Sequence, residues 1–346
     1  MRFYFTEEDR ATSSRAADIR AALVYAGHRV IRGRVGEPPP TSVDVWMHGI
    51  GIEGSPPMTE RVATLLCESP ARIGIFQLCD AENMSFERIP SAVMARADLF
   101  LRNHWPRDDG LIPDQARDRT GWLPPMIKPL RARPGLALAE RAGGAIFYGT
   151  RTGFANLAGG KNARDELVRL MRGANLPFRG GILGHDDPRY PVDPSLAVAR
   201  MSGAQHDRLL QDAKICLSPW GNHVLTYRFF EGLARRCLVV AESIQAAAFL
   251  DGGLQAGRHY VEVKADLSDL IDQVRYYLAS PVEAQRIADA GHEHFKQYFE
   301  ARGRLISAYT FEASIASWGE LYRRSETRSL ASALRSRVAY WFPSWF

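Results

Sequence analysis

Residues 214–240 read KICLSPWGNHVLTYRFFEGLARRCLVV. Two apolar runs, ICLS and CLVV, bracket a segment carrying Arg228 and Glu231, three positions apart. Runs of that length, bounded by turn residues, read as buried strands (214–219 and 237–243). The intervening VLTYRFFEGLARR (224–236) reads as a helix. Strand, helix and strand in that order form a crossover between parallel strands.

Working outward, the same rhythm recurs along the chain. RFYF (2–5) reads as a strand, 15–26 as a helix ended by Gly27, and HRVIRG (28–33) as a second strand. VDVWMHGI (43–50) is a strand running into a turn, and 55–69 holds a helix behind its prolines. ARIGIFQLCDAEN (71–83) and ADLFLRNHW (97–105) repeat the strand-to-polar-end pattern. A second series begins with GGAIFYGTR (143–151) and a helix at 162–171 with Asn162 as cap. It continues with LPFRGGILG (176–184), a helix at 202–213, a strand and helix within 259–280, and helices at 281–299 and 304–324. Alternation of this kind predicts an α/β chain of two Rossmann-like domains with parallel sheets. Residues 106–145, rich in proline and charge, read as the connection. The expected division is 1–134, 135–303, and a helical segment 304–346 with a basic aromatic tail.

The 346 residues are 46% hydrophobic and 24% charged, the balance of an ordinary globular protein. Lys plus Arg exceed Asp plus Glu by 44 to 39 and are spread along the chain, which argues against a nucleic-acid partner. Cys67, Cys79, Cys216 and Cys237 form no CxxC and read as buried thiols in a reducing compartment. The opening MRFYFTEEDR lacks the basic start and apolar run of a signal peptide, and no run of about 20 apolar residues occurs. A cytoplasmic location is expected. The ending YRRSETRSLASALRSRVAYWFPSWF (322–346) mixes arginines with terminal aromatics. It fits docking on the protein's own body or peripheral contact with the inner face of a membrane; the latter is the expectation.

Ligands of parallel sheets bind beyond the carboxyl ends of the strands. There, Ser218, Pro219, Gly221 and Asn222 form a turn whose N–H groups suit phosphate. Arg228 and Glu231 share a helix face. The planar fork of Arg228 fits diphosphate oxygens, and Glu231 can accept hydrogen bonds from ribose hydroxyls. The same spacing fits an exposed i,i+3 salt bridge of little worth. Gly149, Thr150 and Arg151 repeat the strand-to-turn theme, while Lys161 reads as a surface amine. In the first half, His48, Asp80 and Glu82 follow strand candidates and are the candidates for a base toward an acceptor hydroxyl, with Glu53 also open. His185, Asp186 and Asp187 read as a loop rather than a metal site. HEH at 292–294 lacks HExxH spacing and reads as a solvated helix face. GxGxxG after the first strand, GxxxxGK[ST] and GxSxG are all missing.

The stretch 214–240 resembles the C-terminal nucleotide-sugar-binding region of GT-B glycosyltransferases, and among them the exostosin-like pattern. The residues that carry it are Cys216, Ser218, Pro219, Gly221, Arg228, Glu231, Cys237, Val239 and Val240. Trp220 interrupts the Pro-Gly pair, and Arg235-Arg236 stand where the pattern has Gly before Cys. The resemblance implies two domains facing a cleft, with the donor on the second and the acceptor on the first. It places Arg228 on diphosphate and Glu231 on ribose, with no tightly bound cofactor and no catalytic metal. The expected function is hexosyltransferase-type transfer from a nucleotide-diphosphate sugar to a glycan or lipid-linked hydroxyl. A non-catalytic nucleotide-sugar-binding module and a sugar-nucleotide epimerase are the alternatives.

Overall fold

The computed structural model describes residues 1–8, 27–51, 57–77, 86–102, 112–122, 133–151, 161–184, 191–221, 226–244 and 254–298. It also describes helical positions at Thr12, Ala16, Ala17, Ile19, Arg20, Leu23 and Val24. The chain divides into two compact units, one over Met1–Met126 and one over Ile127–Gly303.

In the first unit, apolar runs become the strands β1 (Arg2–Glu7), β2 (Arg29–Arg32), β3 (Val45–Gly49), β4 (Arg72–Gln77), β5 (Leu99–Arg102) and β6 (Thr120–Trp122). They pair in the order β2-β1-β3-β4-β5-β6, every pair parallel. Side chains alternate across a strand, so each strand feeds two cores. Phe3, Phe5, Val45, Met47 and Leu101 pack on one face with Ile19 and Leu23. Tyr4, Trp46, Ile73, Ile75 and Phe100 pack on the other with Val62, Leu66 and Val93. Val62 and Leu66 belong to α1 (Glu60–Glu68), whose start is capped by Thr59 accepting from the Val62 N–H. Gly27 takes φ 89°, a left-handed value that suits glycine at a helix end.

The region read as a connection belongs in part to this unit. Helix α2 (Ser91–Arg96) precedes that region, while helix α3 (Asp114–Arg117) and β6 lie within it and before residue 123, and β6 extends the sheet with Thr120 opposite Phe100. Three residues are too few to show strand alternation, so only pairing with β5 reveals this strand.

The second unit holds β7 (Ala145–Thr150), β8 (Phe178–Leu183), β9 (Ala197–Val198), β10 (Ile215–Ser218), β11 (Leu238–Glu242) and β12 (Val261–Val263). Their order is β12-β11-β10-β7-β8-β9, again parallel throughout. Helices α4 (Ala163–Gly173), α5 (Gly203–Asp212), α6 (Tyr227–Ala234), α7 (Leu270–Ala279) and α8 (Pro281–Tyr298) complete it. Asn162 caps α4 by accepting from Arg164 and Asp165 N–H, and Ser202 with Gln205 forms a capping box on α5. Helix α6 buries Phe229, Phe230 and Leu233, each worth about 1.5–3 kcal/mol on removal from water. Gly232 brings it close to the sheet, since a Cβ there would lie 2.8 Å from Val239 Cγ2 and 3.0 Å from Cys216. The two-residue β9 was not readable from sequence; it exists through its pairing of Ala197 with Ile182.

The HEH triplet corrects its sequence reading. His292 and His294 are buried on α8, and only Glu293 is exposed. The His292 Nδ1 and the Leu233 carbonyl lie 2.9 Å apart, and the His294 ring lies 4.6 Å from the His259 ring, tilted by 35°. Helix α8 is covered by α6 and by the 257–260 turn, so alternating histidines face inward. The expected helix at 304–324 and the tail 322–346 fall outside the described residues.

In each sheet the strand order reverses once. In the first the reversal lies between β1 and β3; in the second it lies between β7 and β10. Loops on either side of such a point diverge and leave a crevice at the carboxyl ends.

Candidate functional site

At the reversal of the second sheet, β7 ends in Gly149-Thr150, followed by Arg151, and β10 ends in Ser218, followed by Pro219, Trp220 and Gly221. Helix α6 starts nearby and sends Arg228 back over the end of β7. Its Nε donates to the Tyr148 carbonyl at 2.8 Å, and the guanidinium carbon lies 4.6 Å from the Phe147 ring centroid. Gly149 makes this approach possible: a Cβ there would lie 2.5 Å from Arg228 Nη2. Arg228 Nη1 is buried and has no hydrogen-bond partner. Burial lowers the affinity of the guanidinium for its proton, against the opposing influence of Cys216 and Glu231. A buried cation with an unused donor is complementary to an anion.

Glu231, one turn on, is half-buried. Arg228 and Glu231 form no salt bridge with each other; Glu231 Oε2 instead lies 3.9 Å from Nδ1 of His206 on α5. The exposed i,i+3 pair is therefore not the arrangement found. The His206 ring stands edge-on to Tyr148 at 6.3 Å. Burial pushes its pKa below the ordinary histidine value, outweighing the pull of Glu231.

The Ser218 and Thr226 hydroxyls bond to each other at 3.1 Å. Thr226 is the N-cap residue of α6, yet its side chain makes no capping bond. The first turn of α6 thus lacks the side-chain acceptor that usually meets its N–H groups. The Pro219–Gly221 turn is pinned by the Trp220 N–H donating to buried Glu242 at 3.0 Å. A Cβ at Gly221 would overlap the Arg164 guanidinium, whose Nη1 donates to Thr150 O at 2.6 Å. Arg151 Nε donates to Asp165 Oδ2 at 2.8 Å, while the buried Asp165 Oδ1 has no hydrogen-bond partner. Arg151, Arg164 and Arg228 therefore gather around the ends of β7 and β10. Lys161 is exposed, 3.8 Å from Glu166. Asn222 lies outside the described residues.

Sequence reasoning missed Arg164, Asp165, His206 and Glu242. Arg164 left one legible sign. It occupies the first turn of α4, where a cation opposes the helix dipole. An unfavourable placement next to a glycine-rich segment hints at an anion. The other three have no local signal, because their role depends on what packs against them.

The comparisons bear on this geometry. Residues 163–308 match the family model described as glycosyl transferase-like. No curated protein matches the chain in sequence. Sucrose-phosphate synthase from Thermosynechococcus elongatus superposes with a TM-score of 0.58 at 11% identity, over 92% of this chain and 100% of that one. A glycosyltransferase from Rickettsia africae gives 0.56 at 11% identity, over 92% and 99%. Anabaena HepE in complex with UDP gives 0.56 at 10% identity, over 92% and 100%. The fold is GT-B.

Within this GT-B chain, both departures from the expected pattern have a physical account. Trp220 is buried at 7% exposure and its backbone is held by Glu242, so the turn keeps its shape with the extra residue. Arg236 adopts φ 58°, the left-handed conformation that glycine usually supplies after a helix. Its Nε bonds Asp289 Oδ1 at 2.5 Å, which helps hold it there.

The candidates for a base belong to the first GT-B domain. His48 sits at the end of β3 with no exposed surface, its ring held between Thr6 and Glu8. Asp80, Glu82 and Glu53 lie outside the described residues, as do His185, Asp186 and Asp187. Among the described residues no group of three His, Cys, Asp or Glu side chains could hold a metal ion, and no helix is long and apolar enough to cross a membrane.

Proposed function

We propose that this GT-B chain is a glycosyltransferase that moves a sugar from a nucleotide-diphosphate donor to the hydroxyl of a glycan or lipid-linked acceptor. The observation that carries the reading is Arg228, anchored on the Tyr148 carbonyl at the strand-order reversal with Nη1 buried and unpartnered. Diphosphate oxygens are the anion such a group suits, beside Arg151, Arg164 and the uncapped first turn of α6. Glu231 accepts from the ribose hydroxyls. Gly149, Thr150, Ser218, Pro219, Gly221 and Asn222 line the phosphate side. As the bond between the sugar and the diphosphate breaks, negative charge grows on the leaving group, and fixed guanidinium groups stabilise it. The complexes of HepE with UDP and with UDP-glucose make uridine donors the first to try. The basic aromatic tail supports an acceptor presented at a membrane surface.

The test is calorimetry across UDP-, GDP-, ADP-, CMP- and dTDP-sugars, followed by product analysis with the donor that binds. One nucleotide class is expected to bind, with release of the nucleoside diphosphate. Absence of binding across the panel would sink the site. Binding with no turnover would indicate a carrier module, and an altered sugar still attached to its nucleotide would indicate an epimerase.

A further inference from the structure

A second polar centre lies in the first domain, at the carboxyl ends of β1 and β3, where that sheet's order reverses. The Trp46 Nε1–H donates to Thr6 Oγ1 at 2.8 Å. The same Thr6 oxygen lies 2.8 Å from His48 Nδ1. Indole nitrogen only donates, so the Thr6 oxygen accepts from it, and the buried Thr6 hydroxyl proton finds its acceptor in Nδ1. That places the imidazole proton on Nε2, which lies 3.5 Å from Glu8 Oε1. Nε2 is buried and makes no hydrogen bond of normal geometry. On its other oxygen Glu8 accepts the Gly51 N–H at 2.6 Å, with Arg88 Nη2 at 3.6 Å. Gly51 is itself held by Arg88 and Gln77, which donate to its carbonyl at 2.9 and 3.0 Å.

The arrangement is directional. Thr6, Trp46, His48 and Gln77 are fully enclosed, whereas the Glu8 side chain keeps 14% of its surface open. The chain of buried groups thus ends on one carboxylate at the strand ends. A network serving only to tie β1 to β3 has no need of a charged terminus with an open edge.

We infer that Glu8 receives the acceptor hydroxyl, with His48 as the positioning residue that orients it. The inference rests on the glycosyltransferase reading. In the step, the acceptor O–H bond breaks and its proton passes to a Glu8 carboxylate oxygen. The acceptor oxygen forms its bond to the anomeric carbon, and the bond from that carbon to the diphosphate breaks, its electron pair leaving with the nucleoside diphosphate.

Burial alone would raise the Glu8 pKa. The nearby His48 Nε2–H, the hydrogen bond from the Gly51 N–H and the charge of Arg88 outweigh burial and hold the carboxyl below its ordinary range. Among the described residues, the titratable and charged groups around it are His48 from β3, Arg88 from the 86–88 turn, and Arg20, which pairs with the adjacent Glu7. A carboxylate held this way is ionised but weakly basic. It takes the proton late, once bond cleavage at the anomeric carbon has made the acceptor oxygen acidic.

The test uses the full chain, the same panel of nucleotide sugars, and methyl glycosides or water as acceptors. Glu8→Gln should lower nucleoside diphosphate release by roughly 10²–10⁴-fold, the range for a lost general base, with nucleotide affinity unchanged within about twofold. Glu8→Asp should retain part of the rate. In His48→Gln the acid limb of the pH–rate profile should move upward, because a partner that favours the ionised carboxylate is gone. Release by Glu8→Gln within about threefold of the parent overturns the inference, as does a His48→Gln profile that falls without shifting. Loss of nucleotide affinity in both Glu8 variants also overturns it. A parent chain that binds no nucleotide sugar removes the glycosyltransferase reading itself, an outcome distinct from an active parent with an equally active Glu8→Gln.

Discussion

Replacing Arg228 by Ala separates the donor site from the scaffold. In the free protein the guanidinium makes one hydrogen bond, to Tyr148 O at 2.8 Å, and rests on Phe147 at 4.6 Å. Losing the bond costs about 1.5–3 kcal/mol for a charged donor, and losing the ring contact about 0.5–2 kcal/mol. Against this, the variant no longer buries a cation with an unused donor, which recovers several kcal/mol. The opposing changes leave stability within about 2 kcal/mol of the parent. Binding has no such offset. A diphosphate that engages Nη1 loses about 1.5–3 kcal/mol, a rise in Kd of roughly 10- to 150-fold. Calorimetry with UDP and with uridine makes the comparison, since only UDP carries the diphosphate. Arg228→Ala should weaken UDP by that factor and leave uridine unchanged. Arg228→Lys should fall between, because an amine keeps the charge without the fork. UDP affinity within about twofold of the parent in folded Arg228→Ala refutes the reasoning, and so does an equal loss for uridine. Should another nucleotide be the donor, the same pair is run with that diphosphate and its nucleoside.

Two further outcomes concern stability. His294, buried beside His259 and Arg258, has its pKa pushed down to about 4, first by burial and then by those charges. The unfolded chain takes up this proton near pH 6.5 and the folded one only near 4, so stability is lost as pH falls between those values; after discounting for partial solvent screening the loss is roughly 2 kcal/mol. Urea unfolding at pH 7 and pH 4.5 should show this, and His294→Gln should reduce the difference; an unchanged difference contradicts the assignment. At Arg236, Gly would relieve a left-handed φ of 58° but give up the Asp289 pair and loosen the unfolded chain. These effects nearly cancel, so Arg236→Gly should stay within about 1 kcal/mol of the parent, whereas Arg236→Ala, which keeps the strain and loses the pair, should lose about 1 kcal/mol in urea unfolding.

Legibility varied with the range of the interaction. Asn162 and Ser202 announce helix starts because capping is a contact within three residues. The buried face of α6 follows from Phe229, Phe230 and Leu233. By contrast, β6 and β9 are two or three residues long and exist only because β5 and β8 pair with them. The HEH triplet looked solvated because histidine is polar; α6 and the 257–260 turn cover it. Glu8 went unnoticed for a similar reason. As one acidic residue after a strand it carries no pattern, and its surroundings come from residues 48, 51 and 88.

By itself the sequence determined the alternation of strands and helices, the two-domain α/β class, and the pairing of a glycine-bearing turn with an Arg–Glu helix. All three depend on run length, periodicity and local turn chemistry, which act between near neighbours. The tertiary structure decided where Arg228 points. Its direction is set by the Tyr148 carbonyl and the bare Cα of Gly149, about 80 positions earlier in the chain. Strand order brings those positions together, and a guanidinium takes its direction from whatever acceptor the fold delivers to it.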